Sequence, residues 1–213
     1  MMAYRQAISW ARQRFFPSMN EGPSPHLSAT LAIEGLLAAI VGNLATGYTQ
    51  MFASRMGATD SQIGYISALP QLLALLVLIP GALLASRSRD RRRPVEIAII
   101  LYGILYGIAG LSPWLGNTRV WFLIGTISLA NAPVALYNAT WQSYFSDIVP
   151  VESRNCYYTR RTSMTFFAGI IVVQAVGIIL GSAKTDVVRI WLYQSCYWLA
   201  FIIAIVQMRV LRR

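Results

Sequence analysis

The sequence predicts an all-helical membrane protein with six spanning segments, and three observations carry that expectation. Of 213 residues, 56% are hydrophobic and only 12% are charged, roughly half the charged share of a soluble domain, whose surface must stay hydrated. Six apolar stretches, at about 28–52, 61–85, 95–113, 119–143, 164–182 and 188–208, reach the roughly 20 residues that a bilayer crossing needs. The basic residues gather in alternate connections between these stretches rather than spreading evenly.

The first 27 residues lack the apolar core of a cleavable signal. Tyr4, Ile8, Ala11 and Phe15 recur there at helical spacing beside Arg5, Arg12 and Arg14, so residues 1–27 are expected to form a short amphipathic helix at the cytoplasmic interface. Pro17, Gly22, Pro23 and Pro25 break it before the six-helix bundle of residues 28–213. Between the first two spans, Thr59 and Gln62 have the spacing of a capping box that opens the second helix. Pro70 and Pro80 fall inside that helix, where a membrane span tolerates them as kinks. In the third span, Tyr102-Gly103 and Tyr106-Gly107 repeat four residues apart and predict a packing stripe, since small residues let membrane helices approach closely.

Charge fixes the expected orientation. The N-terminal segment, the second and fourth connections and the C-terminal tail hold 14 of the 18 Lys and Arg residues. The positive-inside rule then places both termini in the cytoplasm, with a multi-pass chain in the cell membrane. The net charge of +10 is explained by these clusters, so no nucleic-acid partner is expected. Cys156 and Cys196 lie in a loop and a span, and His26 is the single histidine. No metal-ligand spacing, phosphate-cradling loop or nucleophile–base pairing stands out, so neither enzyme activity, a metal nor a cofactor is expected.

Three stretches resemble the major facilitator superfamily, specifically its N-terminal six-helix half. They are Gly57-Ala-Thr-Asp-Ser-Gln-Ile-Gly64 with Ser67-Ala-Leu-Pro70, the run from Pro80 to Arg93, and Asp147-Ile-Val-Pro150 followed by Arg154, Tyr157, Arg160 and Arg161. The second stretch is similar to the signature loop between helices two and three of that family, with Ala82, Ser86 and Arg89 standing in place of its glycine, acid and second glycine. The resemblance implies cytoplasmic gating loops carrying Arg87, Asp90, Arg91, Asp147, Arg154, Arg160 and Arg161, with Asp90 substituting for the missing acid. It also implies a substrate cavity lined by the first and fourth helices.

Polar side chains within spans agree with that expectation, because they are costly against lipid and turn inward. Asn131, Ala135, Asn138 and Gln142 form one helical stripe on the fourth span, flanked by Tyr137 and Trp141 as stacking candidates. Asn43, Thr46 and Gln50 mark the first span, and Gln71 and Gln174 the second and fifth. Such amides also serve simply as glue between helices. Glu34 is the one carboxylate inside a span, about six residues or roughly 9 Å from the start of its helix. It is either a proton-coupling group or a structural side chain that snorkels to the cytoplasmic interface or pairs with a loop arginine.

A full transporter of this superfamily has two six-helix halves with the substrate between them. The expected assembly is therefore a homodimer, or a pair with a complementary half-size protein, acting on a small solute within the lipid bilayer. The alternatives are a non-transporting membrane interaction subunit and an N-terminal fragment of a full-length transporter.

Overall fold

The structure is a computed structural model that describes residues 25–87, 90 and 92–212. The expected amphipathic helix of the N-terminal segment lies outside the described residues. Seven α-helices follow: α1 (Pro25–Thr46), α2 (Thr49–Arg55), α3 (Asp60–Arg87), α4 (Arg92–Ala109), α5 (Arg119–Ile148), α6 (Arg154–Ser182) and α7 (Asp186–Arg212), with no strand among the described residues. Five stretches, Ala29–Arg55, Asp60–Gly81, Ser112–Ile148, Val151–Ser182 and Asp186–Arg212, are long and apolar enough to cross a membrane. By length and composition this is a membrane protein. The third expected span, α4, is shorter and carries Arg92, Arg93 and Glu96 in its first turns, so it reaches that composition only in its later part.

The first span is broken. Pro25 opens α1, where a fixed φ and a missing N–H are tolerated. The helix ends at Gly47–Tyr48 and resumes as α2, so one expected span is two helices in series. Gly57 then adopts a φ of +86°, the left-handed conformation that glycine reaches without strain. The capping box follows it. The Thr59 N–H donates to Gln62 Oε1 at 2.9 Å, and the Gln62 N–H approaches Thr59 Oγ1 at 3.4 Å. Thr59→Ala is expected to cost about 1 kcal/mol, read as a lower unfolding midpoint in mild detergent.

The loop expected over 144–163 is much shorter. Helix α5 runs on to Ile148 and α6 starts at Arg154, with only a short 3-10 turn, Val151–Ser153, between them. A helix does not stop where its apolar run stops, because Arg and Gln propagate helix nearly as well as Leu once water surrounds them. Arg154 closes this corner. Its Nε donates to the Val149 carbonyl at 3.0 Å and its Nη2 to that of Ser146, satisfying carbonyls that the end of α5 leaves open.

Close packing runs in one sequence: α3 against α5, α5 against α4, α4 against α7, α7 against α1, and α1 against α6. Exchanging α1, α3 and α4 for α5, α6 and α7 reproduces the same order read backwards. Side-chain contacts fix the directions. Gly103 and Gly107 of α4, and Gly110 just after it, meet Ala204, Phe201 and Trp198 of α7, an antiparallel seam and the packing role expected of the glycines at 103 and 107. The α1–α6 pair is parallel. Gly35 meets Arg161, Gly169 meets Asn43, and Gly177 meets Tyr48. The Tyr48 hydroxyl, at the break in the first span, donates to the Val173 carbonyl. Phe52 of α2 anchors the core between Tyr193 and Tyr197, with ring centroids 5.2 and 5.7 Å apart. The outermost helices, α3 and α6, leave Leu72, Leu75, Leu76 and Ile79, and Phe166, Phe167, Ile170 and Ile171, exposed.

Candidate functional site

The site begins with a carboxylate that has no access to solvent. Glu34 is 0% exposed. Because α1 opens at Pro25, Glu34 lies about nine residues, or roughly 14 Å, into its helix. A charge at that depth is tolerated only when several donors meet it, and three helices, α5, α6 and α7, supply four. Tyr137 and Gln207 donate to Oε1, Gln207 Nε2 at 2.9 Å. Trp141 Nε1 and Arg161 Nη2 donate to Oε2, each at 3.1 Å. All the lone-pair directions of the carboxylate are used.

A second shell continues outward. The Tyr102 hydroxyl of α4 donates to Gln207 Oε1 at 2.5 Å, which aims the Gln207 amide N–H at Glu34. Arg161 Nη2 also donates to the Tyr137 hydroxyl at 3.1 Å. The guanidinium lies over the Trp141 ring, with its carbon 3.7 Å from the ring centroid, a favourable cation–π arrangement. Its stem crosses Gly35, where a Cβ would stand 2.6 Å from Arg161 Cγ. Only glycine leaves that path open. Helices α1 and α5 are not close backbone neighbours, nor are α5 and α6. Glu34 and Arg161, on the closely packed α1 and α6, thus tie both helices to α5, which neither otherwise packs against closely.

The sequence reading put Arg161 and Arg160 in a loop, and both are on α6. Arg161 turns inward to Glu34, one of the two roles anticipated for that acid, whereas Arg160 is exposed. Tyr137 and Trp141 were expected to flank a cavity and stack on a ligand. Both are buried, with their polar atoms turned to Glu34. Tyr102 and Gln207 were missed as members of this centre. The one available signal was the lone acid itself, which requires donors without saying which residues supply them.

The other candidates are placed as follows. Asn43, Thr46 and Asn131 donate to the carbonyl one turn back, those of Ala39, Gly42 and Ile127, so their donors are used locally. Gln50 bridges to Ser67 of α3 at 2.7 Å. Gln71, Asn138, Gln142 and Gln174 are exposed. Along the stripe on α5, Asn131 is half-buried, Ala135 is buried, and Asn138 and Gln142 are uncovered. The uncovered part of that stripe faces the arginine-rich end of the bundle. Thr46, Gln50, Gln71 and Gln174 lie toward the opposite end.

Among the gating-loop residues, Asp90 pairs only within its own turn. It accepts from the Arg92 N–H at 3.2 Å and meets Arg93 Nε at 3.3 Å, and it reaches no other helix among the described residues. Arg91 and the side chain of Arg87 lie outside the described residues, and Asp147 is exposed. Glu96 makes a link between helices at this end, holding Arg92 at 2.9 Å and Arg212 at 3.0 Å. At the opposite end, Trp114 lies against Trp191 and Trp198, and Tyr65 against Trp121.

No protein-family model, curated protein or solved structure matches the chain. Fold and site define a helical membrane protein with a buried carboxylate paired to an arginine.

Proposed function

We propose that the chain is a half-size secondary transporter of a small solute, similar to the N-terminal half of a major facilitator superfamily protein. It works as a dimer, with a central cavity lined by α1 and α5 of each copy. The carrying observation is the set of polar side chains left uncovered on membrane-type helices: Thr46, Gln50, Gln71, Asn138, Gln142 and Gln174. Amides facing acyl chains are costly, whereas the same amides facing a second bundle line a wet passage. The palindromic packing order supports the reading, since each half of such a transporter is built from two three-helix units of opposite topology. The orientation has support from both ends. Arginines crowd one, and the exposed Trp114, Trp121 and Trp191 ring the other, as indoles do at a membrane surface. Transport then consists of one bundle rocking against its partner, with both termini in the cytoplasm, in the cell membrane. The chain performs no chemistry on the solute.

A competing reading, a membrane interaction subunit without a transport cycle, has a specific observation in its favour. The signature acid is replaced by Ser86, and Asp90 stays within its own turn. An N-terminal fragment of a full-length transporter is the other alternative. Two measurements decide. Cross-linking in native membranes and sizing in mild detergent are expected to give a dimer of this chain. Counterflow uptake by proteoliposomes, screened with small solutes, is expected to fall about tenfold in Asn138→Leu, the loss of roughly one good hydrogen bond to the solute. A strict monomer whose Asn138 and Gln142 face lipid would falsify the proposal.

A further inference from the structure

The hydrogen bonds around Glu34 and Arg161 are unevenly shared. The carboxylate accepts from Tyr137, Trp141, Gln207 and Arg161, so three neutral donors already point their positive ends at its charge. The guanidinium, in contrast, has one charged partner, reached through Nη2 alone. Its Nε is buried against Gly35 without a hydrogen bond, leaving no room for anything else there. That leaves Nη1. It has no hydrogen-bond partner among the described residues, on a side chain that is 15% exposed.

The surroundings of that outward edge are suited to a ligand. The guanidinium plane is held by the Trp141 ring on one face and its stem by Gly35, so its direction is set before anything binds. Asn138 and Gln142, each one residue beyond Tyr137 and Trp141 and so about 100° further round α5, are exposed and carry both donors and acceptors. No other basic side chain among the described residues is held this way inside the bundle. Arg92, Arg154 and Arg212 are used by Glu96 and by the end of α5.

We infer that Arg161 Nη1 is the docking group for the oxyanion, a carboxylate or phosphate, of a small soluble solute, with the Asn138 and Gln142 amides holding its polar remainder. The inference rests on the transporter reading and names its substrate class. A guanidinium recognises such an oxyanion by charge and by donor geometry together. An arriving anion is the second negative charge on one guanidinium, so its affinity depends on the charge of Glu34. The groups facing Glu34 are the Tyr137 hydroxyl and Trp141 from α5, Arg161 from α6 and Gln207 from α7, with the Tyr102 hydroxyl of α4 behind Gln207. Of these, Arg161 alone carries charge. Replacing Glu34 by a neutral side chain therefore frees Arg161 for the solute.

The test uses the full chain purified in neutral detergent. Acetate, benzoate and inorganic phosphate are titrated against the neutral acetamide and benzamide at constant ionic strength, with the unfolding midpoint as readout. At least one anion is expected to stabilise saturably and the amides not to do so. Arg161→Lys is expected to weaken that anion about tenfold or more, by loss of the fork geometry. Glu34→Gln is expected to tighten it about tenfold or more, since a competing charge within a few ångströms is removed. That gain cannot arise from misfolding. Equal stabilisation by anions and amides, or unchanged affinity in both variants, overturns the assignment. So does stabilisation confined to nanodiscs containing phosphatidylglycerol, which would make the group a headgroup site. If uptake and dimerisation hold while no anion binds, this inference falls and the transporter reading stands.

Discussion

Arg161→Leu is expected to be the most damaging single substitution in the bundle, lowering stability by about 3–5 kcal/mol, the range found when one member of a buried ion pair is removed. The cause is what remains. Glu34 would be left without its cation at a position with no solvent access, supported only by the neutral Tyr137, Trp141 and Gln207. The cation–π contact with Trp141 is lost at the same time. Glu34→Gln is milder, because the amide oxygen still accepts from one pair of donors and Arg161 retains partial access to water. Combining Glu34→Gln with Arg161→Leu is expected to recover much of the single-variant loss, since no unpaired charge is then buried. Reversible unfolding in mixed micelles supplies the measurement. Strictly additive losses across the cycle would show that the two charges do not depend on each other.

Why the helices were readable in advance and this pair was not follows from what each signal contains. A membrane span announces itself locally, by some 20 apolar residues in a row, and its junctions announce themselves by caps. The Thr59–Gln62 box is local in this sense, and it forms as the spacing predicts. The glycines at 103 and 107 are local too, because a small residue on one face needs only a neighbour to fill it. The partners of Glu34 are different. They lie 103, 107, 127 and 173 residues away in the chain, and nothing in the spacing of Tyr137 or Trp141 separates a ring that stacks on a solute from one that donates to an acid. Arg161 was hidden for a further reason. Treating the end of an apolar run as the end of a helix put residues 154–163 in a loop, although α6 includes all of them. A charged first two turns on a membrane helix reads as a loop in composition, yet it is where a helix leaves the bilayer and still holds its register.

Gly103→Leu is the second large effect expected, about 1–3 kcal/mol of destabilisation from overpacking. A Cβ at this position would stand 2.9 Å from Ala204 Cβ, closer than two methyl groups pack, and both atoms belong to rigid helices rather than to flexible side chains. The helices α4 and α7 must move apart to admit it. That movement also reaches the charged centre, because Tyr102, the neighbour of Gly103, holds Gln207 in place for Glu34. The reversed pair Gly103→Ala with Ala204→Gly keeps the summed volume of the seam and is expected to stay near wild-type stability, while Gly103→Ala alone is not. Gly125 provides the contrast. It lies on α5, with nothing within 4 Å of an added Cβ, so Gly125→Ala is expected to be neutral or to gain up to about 1 kcal/mol from helix propensity. Unfolding midpoints for the four variants separate a seam from a generic cost of removing glycine. If Gly103→Ala and Gly125→Ala behaved alike, the close approach of α4 and α7 at this point would be refuted, and with it the route by which Tyr102 and Gln207 support the buried acid.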